Sequence, residues 1–66
     1  MNKLKGYRVM AMLTQNDMAK LLNIRTATYL AKEKGYRAFS DDEKRKIKTI
    51  LSKKLNREFT IDELFF

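Results

Sequence analysis

An all-α fold of five short helices is what this 66-residue sequence predicts, and three observations predict it. Side-chain caps recur: Thr14 with Asp17, Ser40 with Glu43 and Thr60 with Glu63 each set an oxygen acceptor where a helix start leaves N–H groups unpaired, with an acid in the first turn. Apolar residues return at intervals of three and four, the period of a helix buried on one side. No repeat or low-complexity stretch interrupts them. A chain near this length buries only about 60% of the surface it exposes when unfolded, so residues 1–66 are expected to form one compact domain.

The elements follow in order. Leu4, Arg8 and Ala11 share one face of a first helix, with Val9, Met12 and Leu13 expected to widen the stripe at its end. Thr14 starts a second helix whose inner face is Met18, Ala19 and Leu22. Asn23, one of the few residues besides glycine that tolerates a left-handed backbone, is placed to turn the chain sharply. Ile24 then returns to the core and a third helix begins near Thr26, with Tyr29 filling the space behind it. Ser40 opens a fourth helix, in which Ile47, Ile50, Leu51 and Leu55 face inward and the basic run 44–48 mostly faces water. The acids Asp41, Asp42 and Glu43 at its first turn read as dipole and capping chemistry, not as a metal or catalytic cluster. A final helix over 61–64 is too short to stand without packing, and Phe59, Ile61 and Leu64 are expected to close the core as a lid. Met10, Met12 and Met18 read as packing residues.

Composition limits the chemistry. With no Cys and no His, the chain lacks a disulfide, a zinc site of the usual kind, an imidazole base and a thiol nucleophile. No enzyme activity, cofactor, metal or small-molecule ligand is expected. The longest apolar run, residues 9–13, is far short of the ~20 residues of a membrane span or the ~7 to 15 of a signal-peptide core. A soluble, cytoplasmic protein is therefore expected. Lys and Arg number 15 against 8 acids, a net charge of +7. By segment, residues 1–13 carry +3, 14–35 +2, 36–40 +1, 41–57 +4 and 58–66 −3. Such a basic body suits a phosphate-binding surface, because each neutralised phosphate releases condensed counterions. A lysine-rich solvated surface carries the same charge, so charge alone leaves both readings open.

Residues 15–34 decide between them. A helix ending at Leu22, a turn at Asn23 and a second helix from Thr26, with small Ala19 permitting close approach at a steep angle, make a helix-turn-helix. The run Leu13-Thr14-Gln15, then Met18-Ala19, Leu22-Asn23-Ile24, Thr28-Tyr29, Lys32-Glu33-Lys34-Gly35, Phe39 and Ile61-Asp62-Glu63-Leu64-Phe65 resembles the Cro/repressor (xenobiotic-response-element) family. Its members are commonly phage and prophage regulators, and the resemblance covers almost the whole chain. It implies a compact five-helix lambda-repressor-like domain that binds a double-stranded DNA operator as a transcriptional regulator.

By that resemblance Gln15 corresponds to a position that grips a DNA phosphate together with helix N-terminal amides. Residues 26–34 correspond to the recognition helix in the major groove, with Thr26, Ala27, Leu30, Ala31 and Lys34 facing outward. Arg25 and Thr28 would add polar contacts beside them. Tyr36 and Arg37 match positions that meet backbone phosphate, and Arg8 and Glu33 match a partly buried ion pair. Phe65 and Phe66 are candidates for a contact between two copies, in a homodimer on DNA. Three departures stand out. Met12 and Asn23 replace glycines, and Met12 in a left-handed conformation would be strained. Arg25 replaces a small hydroxyl residue, leaving Thr26 as the candidate cap. Ala27, Leu30 and Ala31 offer no hydrogen bonds to base edges, so this face either reads thymine methyl groups or docks on a protein, as in an antirepressor that keeps the fold and binds another regulator.

Overall fold

The computed structural model describes residues 3–66, and residues 1–2 of the expected domain lie outside them. Five helices follow one another: α1 Leu4–Met10, α2 Gln15–Leu22, α3 Thr26–Glu33, α4 Asp41–Leu55 and α5 Ile61–Phe65. Among the described residues there is no strand. The radius of gyration, 10.6 Å, matches the roughly 11 Å that a folded chain of this length should have.

The caps show why the helices begin where they do. The Thr14 hydroxyl accepts the Asp17 N–H at 3.0 Å and the Asp17 carboxylate accepts the Thr14 N–H at 2.9 Å. Ser40 and Glu43 repeat the exchange at 3.1 and 2.8 Å. Thr60 accepts from Glu63 N–H at 3.0 Å, but the Glu63 carboxylate does not return to Thr60. It pairs instead with the guanidinium of Arg57 and accepts from the Tyr7 hydroxyl at 3.3 Å. The third capping signal is thus half a capping box, because its acid is taken by Arg57, just past the end of α4, and by the Tyr7 hydroxyl of α1.

α2 packs principally on α3, and α4 packs against α1, α2 and α5. Leu4, Met18, Tyr29, Ile47, Leu51 and Leu64 have no measurable exposure, and Ala11, Leu13, Ala19, Leu22, Phe39 and Phe59 complete the core. Ile24, Ile50 and Leu55 pack on its edge. Phe59 and Leu64 are buried as the lid requires, while Ile61 is half-buried. Around that lid the Tyr7 ring meets the Phe59 ring edge-on at 4.8 Å, and the Arg57 guanidinium lies 4.1 Å from the Phe59 centroid.

Two expectations for α1 are corrected. Val9 and Met12 do not widen its buried stripe, and Met10 and Met12 are not packing residues: all three are exposed, Met12 at 89%. The reason is where the helix stops. α1 ends at Met10, and Met12 turns the chain with φ 60°, so its side chain leaves the helix direction while Leu13 swings inward to be buried.

Candidate nucleic-acid interface

The site begins with the turn between α2 and α3. Asn23 adopts φ 58°, ψ 44°, and Ile24 N–H donates to the Ala19 carbonyl at 3.0 Å. A helix-terminal carbonyl is so satisfied while the chain reverses direction. Ala19, 1% exposed, stands where α2 and α3 pack together.

α3 is asymmetric about its axis. Tyr29 is buried; Arg25, Thr26, Ala27 and Lys34 are exposed. Leu30 and Ala31 are half-buried, not fully outward as expected, and so is Thr28. Beyond α3, Gly35 turns the chain at φ 90°, and Tyr36 and Arg37 follow, both exposed, Tyr36 at 80%. The Tyr36 N–H donates to the Ala31 carbonyl at 2.9 Å, which fixes this loop against the end of the helix.

The start of α3 departs from expectation. Arg25 is the extended residue before the helix and supplies no capping oxygen. Thr26 is not the cap either. Its hydroxyl donates to Asn16 Oδ1 at 2.7 Å, joining the start of α3 to the start of α2. Asn16 was not among the expected site residues. Nothing in local spacing could single it out, since its partner lies ten residues away on another helix.

Behind α3, Glu33 gathers four donors. Arg8 Nε donates to Oε2 at 2.8 Å and Arg8 Nη2 to Oε1 at 3.2 Å. The Tyr29 hydroxyl donates to Oε2 at 2.7 Å, and Gln15 Nε2 to Oε1 at 3.1 Å. Arg8 Nη1 reaches the Leu13 carbonyl at 2.8 Å, so the guanidinium joins α1, the chain following it and α3. Burial by itself would raise the Glu33 carboxyl; the hydrogen bonds from Arg8, Tyr29 and Gln15 outweigh it and hold the group below its ordinary 4.5. Glu33 in turn raises Arg8. Burial first, then the bond to Glu33, pushes the Tyr29 phenol up. Gln15 stands at the first position of α2, and one of its two amide protons is committed to Glu33.

A second pair was missed by the sequence reading. Lys32 Nζ donates to both oxygens of Glu43 at 2.7 and 2.9 Å, bolting the end of α3 to the start of α4. Glu43 is legible as a capping acid, but no short-range pattern announces that a lysine eleven residues earlier shares it. At the far terminus, the Phe65 ring packs edge-on against Phe39 at 5.5 Å within the chain. Phe66 is 74% exposed, with the Lys44 ammonium 5.0 Å from its centroid.

No family model, curated protein or solved structure matches the chain. Among the described residues, no helix is long and apolar enough to cross a membrane.

Proposed function

We propose that this protein is a sequence-specific double-stranded DNA-binding transcriptional regulator, a helix-turn-helix domain of Cro/repressor type that reads an operator with α3 in the major groove. One observation carries it: α2, the left-handed turn at Asn23 and α3 pack together as a helix-turn-helix that leaves Arg25, Thr26, Ala27 and Lys34 exposed, with Tyr36 and Arg37 exposed in the loop that follows. The net charge of +7 supports phosphate contact. Gln15, Lys34, Tyr36 and Arg37 position the duplex, and residues 25–31 read it, with Ala27 and the exposed parts of Leu30 and Ala31 against thymine methyl groups. No chemistry is part of this function, and the cytoplasm is its compartment. Phe66 is the terminal residue free to meet a second copy; Phe65 contributes what its packing on Phe39 leaves exposed. A dimer would bind a pseudo-palindrome with half-sites about 34 Å apart.

A second reading draws on the same apolar positions: an antirepressor-type module that docks α3 on another regulator. Selection from a random duplex pool, followed by binding at several salt concentrations, separates the two. A DNA regulator enriches a two-fold symmetric site and loses affinity linearly in log salt. No enrichment, with weak duplex binding at every salt concentration, would refute the first reading in favour of the second.

A further inference from the structure

We infer that the face where α2 meets α4 docks an acidic, amphipathic helical segment of a partner protein and leaves α3 free. Leu21, on α2, is 52% exposed. Two hollows share it: one of about 320 Å³, lined also by Arg45, Lys46, Thr49 and Ile50, and one of about 330 Å³, lined also by Leu13, Asp17, Lys20 and Lys54. Exposed Leu21 and half-buried Ile50 thus give the groove an apolar floor drawn from two helices. None of these residues lies on α3 or in the loop at 36–37, and Leu21 stands at the opposite end of α2 from Gln15, about 9 Å along the helix.

Charge selects the occupant. Lys20, Arg45, Lys46 and Lys54 rim the two hollows, and the acids near them are already engaged. Asp17 caps α2 through Thr14, and the single carboxylate of Asp42 lies 3.8 Å from Arg45 and 3.4 Å from Lys46. An apolar floor ringed by cations in excess of acids suits a partner whose apolar side chains are flanked by Asp and Glu. On α4 the cations run from Arg45 to Lys54, about 14 Å, or roughly two to three turns of a docked helix. A phosphate backbone would match the charge but gain nothing from Leu21 and Ile50. A second copy fits less well, because this chain's own acidic stretch, residues 58–66 at −3, has Phe59 and Leu64 buried in its core.

The test presents the whole chain to a display library of random peptides about twelve residues long. Enriched peptides should carry Asp or Glu around apolar residues spaced three and four apart. With one such peptide, backbone amide shifts should gather at Leu21, Lys46 and Ile50. Leu21→Gln puts a good helix former at an exposed site and should weaken binding about tenfold through the lost apolar contact. Lys46→Glu and Lys54→Glu should each weaken it about fivefold, whereas Met10→Gln, exposed on α1 outside the groove, should leave it unchanged. No acidic enrichment, shifts centred on α3, or affinity indifferent to Leu21→Gln overturns the proposal. So does occupation of the groove by a duplex or by a second copy, seen as the same shifts on adding DNA or on concentrating the chain alone. The proposal does not rest on the DNA-binding reading: absent duplex binding would defeat that reading and leave the peptide result standing, and Leu21→Gln should leave duplex affinity as it was.

Discussion

Among the described residues Glu33 gathers the most side-chain hydrogen bonds, and single changes there should have the largest effects. Arg8 is 6% exposed and bonds both Glu33 and the Leu13 carbonyl. Arg8→Ala strands a buried carboxylate and a buried carbonyl at once and should cost about 3 to 5 kcal/mol; an unchanged thermal midpoint would show the pair to be dispensable. The lowered Glu33 and Glu43 carboxyls set a pH dependence. Each resists its own burial through donors, Arg8, Tyr29 and Gln15 for one, Lys32 and Ser40 for the other. Once pH falls below the ordinary value of 4.5, the unfolded chain takes up protons that the folded chain refuses. Stability should therefore be complete above that value and decline as pH drops through the lower folded values, which urea midpoints taken from pH 6 to pH 3 would show. Met12 gives the opposite kind of prediction. A side chain 89% exposed loses little on removal, while φ 60° penalises any residue with a Cβ. Met12→Gly should raise stability by about 1 kcal/mol, read as a higher melting temperature.

Among the elements, α4 owes its start to Ser40. Its hydroxyl satisfies Glu43 N–H, and the reciprocal bond holds the carboxylate that Lys32 grips. Ser40→Ala should cost about 1 kcal/mol, a fall of roughly 4 to 8 °C in thermal midpoint for a domain of this size. α3 is the contrary case, with no side-chain cap. It is held from outside, by Asn16 at its start and by Arg8, Gln15 and the Glu43 that Lys32 grips at its end. A helix of eight residues is marginal in water, so its presence depends on these ties and on buried Tyr29. Helix starts at Thr14 and Ser40 and the turn at Asn23 were legible because caps and turns act over three or four residues. The end of α1 was legible only through the resemblance, which has a glycine ending the first helix where Met12 stands; the apolar pattern itself continues through Leu13, and the helix stops before it because burying Leu13 requires the chain to turn.

For the whole molecule, the charge is spread, and only part of it can meet a duplex at once. Lys34 and Arg37 flank the exposed side of α3, whereas Arg57 is engaged with Glu63 around the lid. Lys34→Ala and Arg37→Ala should each reduce the slope of log affinity against log salt by about 1 if each meets a phosphate; Lys53→Ala, exposed on the last turn of α4, serves as the comparison for a cation with no phosphate partner. Slopes that fall equally for all three would point to a diffuse field instead of defined contacts.

By itself the sequence determined the all-α class, the helix starts at Thr14 and Ser40, the turn at Asn23 and most of the core, because these follow from periodicity and from bonds between near neighbours. Tertiary structure alone decided the bond from Asn16 to Thr26, the Lys32 to Glu43 bridge, the commitment of Gln15 to Glu33 and the exposure of Val9, Met10 and Met12. Each of these depends on which parts of two separate segments come to lie together, and hydrogen bonds and burial are set by distance in space, which a pattern along the chain does not contain.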